Sequence, residues 1–296
     1  MEKIFLSDAG PKVSPAVYGF YRWTSQDLAA GRMESVVEQC LELGINTFDH
    51  ADIYGDYGCE EAFGTLIKQK SIRREEVVLF TKCGVMVPSS TRPEVRTTYY
   101  DTSKEHILRS LEASLRKLQT DYIDVFLLHQ LDPLSNLEET AYTLQQLKQS
   151  GKIRQIGVVN FTVFQHQLLS SYLRTPVVSN HIEFNLLNTA ALENGQIDYM
   201  KQCYVRPLAT APLAEGRIAT GEDAHAQKVR AVLQEIGQKY GADPESIAVA
   251  WLVKLGALPL IGTTDHQRIR NIADAFALDL DRQDWYAIYA ATKGIL

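Results

Sequence analysis

Four titratable side chains stand out because each ends, or closely follows, a short apolar run: Asp49, Tyr54, Lys82 and His129. The segments read Thr47-Phe48-Asp49-His50-Ala51-Asp52-Ile53-Tyr54-Gly55, Thr81-Lys82-Cys83-Gly84 and Leu127-Leu128-His129-Gln130. A phenol with a pKa of about 10 is a weak acid at neutral pH, but a nearby ammonium favours the phenolate and brings it toward a usable range. Lys82 is the candidate ammonium for Tyr54. A carboxylate would keep that lysine charged and oriented. From spacing alone Asp49 or Asp52 could serve. Strand alternation favours Asp49, which ends its run, whereas Asp52 falls in the loop. A neutral His129 could donate to a carbonyl oxygen and position it. Such a set stabilises an oxygen that acquires negative charge, and it needs no metal. Taken singly, a lysine ending a strand is usually a surface residue and a histidine after an apolar run a structural one. The inference rests on the four together.

Positioning four such groups at one rim requires a particular scaffold. Eight strand-like runs lie near Ala16–Phe20, Asn46–His50, Val77–Lys82, Tyr122–His129, Arg154–Val159, Val177–Glu183, Tyr204–Ala209 and Leu258–Ile261. Helical segments separate them. Thr102 with Glu105 reads as a capping box before Ile107, Leu108, Leu111, Leu115 and Leu118 at helical spacing. Asn136 with Glu139 opens a second helix that Gly151 ends, and Thr162 with Gln165 a third. Asp243 precedes Pro244 at a first helical position, Asp265 caps the segment of Ile269 and Ile272, and a final helix follows Asp281. Strands alternating with helices in eight units predict a closed α/β barrel, (β/α)8, in a single domain spanning residues 1–296. The dinucleotide fingerprint GxGxxG of an open doubly wound sheet is absent from the sequence. In such barrels chemistry sits where strands end, which is where the four residues lie.

Composition narrows the partners. The 296 residues carry a net charge of −6, with 45% hydrophobic and 22% charged side chains, as a globular protein should. The balance offers no single-signed surface for nucleic acid or an anionic membrane, so neither is expected as a partner. A small molecule is. The longest strictly apolar run, Ile247–Val253, is far too short to span a bilayer, and Met1–Gly10 lacks the apolar stretch of a signal peptide. Cys40, Cys59, Cys83 and Cys203 are scattered without a CxxC pair, which fits reduced structural thiols in a cytoplasmic protein and no metal site.

With these residues in place, the sequence resembles the aldo-keto reductase superfamily and, within it, the bacterial YdhF-like oxidoreductases. The matching segments are Phe48-Asp49 through Tyr54-Gly55, Phe80-Thr81-Lys82-Cys83-Gly84, Tyr122 through His129, Gly157-Val158-Val159-Asn160-Phe161, Asn180-His181-Ile182-Glu183 and Arg206-Pro207-Leu208. They run in order over nearly the whole chain. The resemblance implies a carbonyl reductase that uses NADPH/NADP+ and the tetrad Asp49, Tyr54, Lys82 and His129, with Tyr54 as proton donor to the carbonyl oxygen.

The resemblance also implies where the cofactor lies. Tyr21, Arg22 and Asp49 would flank it after the first two runs, with Val159, Asn160 and His181 at the nicotinamide. Leu208, Ala209, Thr210, Ala211, Pro212 and Leu213 follow the seventh run, and the loop through Gly216 and Arg217 would cover the pyrophosphate. Gly262, Thr263 and Thr264 lead from the eighth run into the helix capped by Asp265, a usual phosphate position in barrels. Arg268 suits a bidentate phosphate contact and by the resemblance reads the 2′-phosphate of NADP, with Asn271 nearby. Trp23 and Met86, with Tyr54 and His129, would line the pocket of a small carbonyl substrate. The protein is expected to be a monomer or weak homo-oligomer.

Three departures weaken the nicotinamide site. Val159 stands where the family usually has serine, His181 where it has glutamine, and Thr210 where many members place a stacking aromatic ring. A lost hydrogen bond and a lost stacking surface each cost about 1 kcal/mol, so cofactor binding should be weakened rather than abolished. Two other functions compete: a nucleotide-sensing regulatory protein with little turnover, and a Schiff-base lyase using Lys82. The adjacent Asp49 opposes the second, because a carboxylate partner keeps an amine protonated.

Overall fold

The computed structural model describes residues 1–293. Eight parallel strands close into a barrel: β1 (Val17–Gly19), β2 (Thr47–Asp49), β3 (Val78–Cys83), β4 (Ile123–Leu128), β5 (Ile153–Val159), β6 (Val177–Glu183), β7 (Leu208–Thr210) and β8 (Leu258–Ile261). Around the barrel they follow sequence order and the ends of the series pair, as the alternation of runs and helices requires. The strands are buried almost without interruption, the mark of a parallel sheet covered on both faces. Contacts divide the chain into two compact units, 1–180 and 181 onward.

In the first unit an antiparallel hairpin, Ile4–Phe5 with Lys12–Val13, precedes β1. Ser14 then ties the chain to β2: its amide donates to Thr47 Oγ1 at 3.0 Å, while its Oγ accepts from the amides of Asn46 and Thr47. Register carries the alignment onward. Asp49 pairs with Phe80 across β2 and β3, and Lys82 with Leu127 across β3 and β4. Arg74 locks the starts of β3 and β4, donating to Asp124 Oδ2 at 2.8 Å and to the carbonyls of Val77 and Tyr122, with its guanidinium 4.0 Å over the Tyr122 ring. Asp124 in turn accepts the Leu79 amide at 2.9 Å.

The helix ends follow the sequence with one shift. Asn136, Thr162, Asp243, Asp265 and Asp281 each cap their helix, and Thr162 with Gln165 completes the reciprocal box. The helix expected to be capped by Thr102 begins one residue later: Ser103 accepts the His106 amide, and Lys104–Lys117 is helical. Thr102 is fully buried, its amide donating to Ser135 Oγ and its carbonyl accepting from Thr140 Oγ1, so it belongs to the preceding turn.

In the second unit the strand expected from Tyr204 begins only at Leu208. Tyr204 has φ +55 and is exposed, closing the helix Gln196–Gln202, and Pro207 has no N–H to give a ladder. The final helix, Arg282–Thr292, docks through a reciprocal pair. Trp251 Nε1 donates to the Trp285 carbonyl at 3.1 Å, Trp285 Nε1 to the Trp251 carbonyl at 3.0 Å, and the indoles stack 4.8 Å apart. No helix among the described residues is long and apolar enough to cross a membrane. The four cysteines are free thiols, three of them buried.

Candidate active site

Lys82 is the hub of the first unit's site. It sits on the inward face of β3, two residues past the partner of Asp49, so the two side chains are diagonal neighbours across adjacent strands. Its side chain is 2% exposed, and its ammonium donates to Asp49 Oδ2 at 2.6 Å, to the His50 carbonyl at 2.7 Å and to Tyr54 Oη at 3.2 Å. Three acceptors for three N–H groups is the full complement of a charged lysine. An ammonium so paired has no lone pair to attack a carbonyl, and the Asp49 contact that favours this form weighs against Schiff-base chemistry. Burial pulls the Lys82 pKa down, and Asp49, followed by Asp52 and Glu60, opposes it. Asp49 rather than Asp52 therefore holds the lysine. Asp52 points elsewhere, accepting Ser110 Oγ at 2.7 Å, with its carboxyl pushed up to about 7 by burial.

Tyr54 reaches this hub because the ladder between β2 and β3 continues into the loop. The His50 amide donates to the Phe80 carbonyl at 2.8 Å and the Asp52 amide to the Lys82 carbonyl at 3.1 Å, after which the Tyr54 amide turns back to Ala51. Gly55, Asp56 and Tyr57 then run left-handed, with φ of +59, +54 and +67. A Cβ on Gly55 would lie 2.5 Å from Cys59 Sγ, so glycine answers both the backbone angle and the packing. Neighbours fix the turn: Ser89 Oγ donates to Asp56 at 2.5 Å, Lys117 Nζ to the Tyr57 carbonyl at 2.9 Å, and the Tyr57 hydroxyl to the Val87 carbonyl at 3.2 Å. Backbone held in this region stores strain that its surroundings must support, here directly after Tyr54.

The electrostatics differ from the expectation in one respect. Lys82 does not bring the Tyr54 phenol down: burial pushes it well above its ordinary value, and the Asp49 carboxylate adds to the rise. The lysine's charge is already matched by Asp49 at 2.6 Å, so little of it remains to act on the phenol. Tyr54 is consequently a protonated phenol whose oxygen accepts from Lys82 and whose own proton is left to face another acceptor. His129 lies across from it, ring centroids 6.2 Å apart and edge to face, placed by its amide on the Cys83 carbonyl at 2.7 Å. Burial, followed by the Lys82 charge, pushes its imidazole down to about 3, so it is neutral, and its buried Nδ1 has no partner among the described residues. The set can deliver a proton to, and hydrogen-bond, an oxygen that becomes negative.

The surrounding residues fall into clear places. Tyr21 is 61% exposed with its ring 5.7 Å from that of Tyr54, an aromatic wall beside the tetrad as the segment Tyr21-Arg22-Trp23 after the first run suggests. Arg22 is exposed, Met86 is buried, and Trp23 lies below the surface with its indole N–H on the Tyr18 hydroxyl at 3.0 Å. Val159 is buried at the end of β5, while Asn160 is exposed and left-handed, φ +54. Asn180, which carried no assignment, pins the next residue by accepting the Phe161 amide and donating to its carbonyl at 2.9 Å. His50 supplies Lys82's third acceptor through its carbonyl, a role no side-chain pattern could reveal.

In the second unit His181 pairs with Leu208, and both are fully buried. Thr210 ends β7, and the loop that follows has positive φ at Ala211, Ala214, Glu215 and Gly216, with buried Pro212 and Leu213 between. Arg217 pairs with Asp223 at 2.9 Å on the surface. Gly262, Thr263 and Thr264 are part-exposed, and Asp265 Oδ1 accepts the amides of Gln267 and Arg268. Arg268, expected to await a phosphate, forms a two-point fork with Glu245, Nε to Oε2 at 3.0 Å and Nη2 to Oε1 at 2.5 Å. No cluster of His, Cys, Asp or Glu among the described residues could hold a metal.

A thermostable aldo-keto reductase, Tm1743, superposes with a TM-score of 0.84 over 98% of this chain and 100% of its own, at 23% identity, which speaks to the fold. A 6-dehydroglucose reductase of Agrobacterium fabrum is 38% identical, covering 99% of each chain. Oxidoreductase YdhF of Escherichia coli is 36% identical over 99% of this chain and 98% of its own. The Aldo/keto reductase family model matches residues 17–293, nearly the whole chain. A closed parallel barrel, a carboxylate, phenol, ammonium and imidazole at its strand ends, and relatives matched end to end place this chain in the Aldo/keto reductase family of oxidoreductases.

Proposed function

We propose that this protein is an NADPH-dependent reductase of aldehydes and ketones, working in the cytoplasm as a single barrel domain, with Tyr54 protonating the carbonyl oxygen. The observation that carries the reading is the Lys82 contact on the Tyr54 oxygen at 3.2 Å, which leaves the phenol proton free to face a substrate. When bound, the cofactor supplies hydride to the carbonyl carbon. Lys82 stays charged against Asp49 and follows the phenol with a hydrogen bond as it gives up its proton. Neutral His129 donates to the same oxygen and fixes its approach. The pKa of Tyr54 is high in the resting site, so the proton transfers only as the oxygen becomes strongly basic.

The residues present fit the cofactor. Each unit carries groups that suit parts of it: in the first an exposed, left-handed Asn160 with its side-chain amide, and in the second a loop after β7 with left-handed backbone at Ala211, Ala214, Glu215 and Gly216, of the kind whose N–H groups receive an anion. Asn160 would hold the carboxamide, the loop through Gly216 and Arg217 the pyrophosphate, and Gly262, Thr263, Thr264, Arg268 and Asn271 the adenosine phosphate. Val159 offers the carboxamide no hydrogen bond, so binding should be looser by tenfold or less.

Two relatives named 6-dehydroglucose reductase, at 38% and 31% identity, point to a sugar aldehyde as the first substrate to try. Tyr21, exposed beside Tyr54, offers a flat apolar face on which a sugar ring could lie. NADPH consumption against 6-dehydroglucose, aromatic aldehydes, diketones and quinones tests the reading. Turnover with formation of the matching alcohol supports it. Saturable NADPH binding with no turnover across the panel would instead support a nucleotide sensor.

A further inference from the structure

Arg268 and Glu245 meet at the first turns of two helices of the second unit, His266–Asp274 and Pro244–Lys254. Their contact is built in from both sides. Asp243 caps the earlier helix by accepting the amides of Glu245 and Ser246, while Ser246 Oγ donates to Asp243 at 2.7 Å and reaches the Asn271 carbonyl of the later helix at 2.9 Å. Gln267 donates to Asn271 Oδ1 at 2.8 Å. The Glu245 side chain is only 14% exposed and that of Arg268 37%. The fork takes the Nε and Nη2 edge of the guanidinium, so two of its five N–H groups are used and the outer edge stays available.

An arginine facing the adenosine ribose favours a 2′-phosphate, and a carboxylate there favours a free 2′-hydroxyl. This chain carries one of each, joined. Glu245 cancels the arginine's charge, and the carboxylates of Asp265 and Asp243 also act on it. A phosphate dianion arriving at the outer edge therefore gains less than it would from a lone arginine and is repelled by Glu245, whereas a ribose hydroxyl finds both a donor and an acceptor. On the reading that Arg268 faces the adenosine ribose, we propose that Glu245 is the residue that sets cofactor preference, holding it low enough for the protein to accept NADH as well as NADPH.

Calorimetric titration of the intact protein with NADP+ and with NAD+ tests this without any turnover. The unsubstituted protein is expected to bind the two within about tenfold of each other, and Glu245→Gln to tighten NADP+ by about three- to tenfold while leaving NAD+ nearly unchanged, the size expected for removing one partly screened like charge. Arg268→Ala should bring the two affinities together by weakening NADP+. A preference for NADP+ beyond a hundredfold in the unsubstituted protein, or a Glu245→Gln protein that binds NADP+ no better, overturns the role of Glu245. If Arg268→Ala leaves NADP+ binding unchanged, the placement of the phosphate on Arg268 fails, and the role of Glu245 fails with it. Glu245→Ala, checked for an unchanged melting temperature, repeats the comparison with a shorter side chain.

Discussion

The Lys82 ammonium donates to the Tyr54 phenol oxygen at 3.2 Å while lying 2.6 Å from Asp49, so a buried phenol, ammonium and carboxylate share one hydrogen-bonded line. Breaking the line at its far end should disable the near one. Asp49→Asn leaves the ammonium inside the barrel without its counter-charge. The kcat for carbonyl reduction should fall by about 10²- to 10⁴-fold, and stability by about 3 kcal/mol. Steady-state kinetics beside urea denaturation separates the two effects. A kcat within a few-fold of the parent would show that the lysine needs no orienting carboxylate.

The left-handed turn after Tyr54 makes a second prediction. Gly55→Ala places a methyl group 2.5 Å from Cys59 Sγ at φ +59, and the strain must be relieved by moving the turn that carries Tyr54. A displacement of about 1 Å costs on the order of a hundredfold in kcat. Cofactor affinity should change far less, because none of the residues expected to hold the adenosine phosphate lies in this turn. An unchanged kcat would mean that the turn adapts without moving the phenol.

His50 yields a prediction about pH. Its ring stacks on Phe20 at 4.3 Å and meets Phe63 edge-on at 4.8 Å, and neither ring nitrogen has a partner among the described residues. Burial, followed by the Lys82 charge, holds the imidazole neutral far below its ordinary range. As pH falls through about 6.5 the unfolded chain takes up a proton here and the folded one does not, so this group removes stability on acidification. In His50→Leu that loss is absent. The slope of stability against pH between about 5 and 6.5 should be lower by up to one proton, about 1.4 kcal/mol per pH unit, and the variant should be the more stable at pH 5. Equal slopes for the two proteins would mean that His50 is protonated in the fold.

How much of this was legible in the sequence follows from how local each cause is. Strand alternation and apolar runs are local, and they placed Asp49, Lys82 and His129 at strand ends and the eight strands in order. Tyr54 was legible by its spacing from Asp49, with Gly55 beside it. Ser103 displaced Thr102 as a cap because Asp101 Oδ1 accepts the Ser103 amide at 3.0 Å and draws Thr102 into the buried turn. The strand after Arg206 began late because Tyr204 is left-handed, which an apolar run does not reveal. The hairpin of Ile4–Phe5 with Lys12–Val13 is too short to show a period. Glu245 could not be paired with Arg268 from the sequence, since the contact exists only because two helix starts approach each other 23 residues apart. The fall expected for the Tyr54 pKa reversed because burial and Asp49 act together on a phenol whose neighbouring ammonium is already neutralised.

The most direct test is the rate of carbonyl reduction by Tyr54→Phe, measured under single-turnover conditions with saturating NADPH. The substitution removes one hydroxyl and keeps the ring that packs between Tyr21 and His129. If Tyr54 is the proton donor, the chemical step should slow by about 10²- to 10⁴-fold while NADPH still binds. A Tyr54→Phe protein that reduces the carbonyl as fast as the parent would contradict the mechanism.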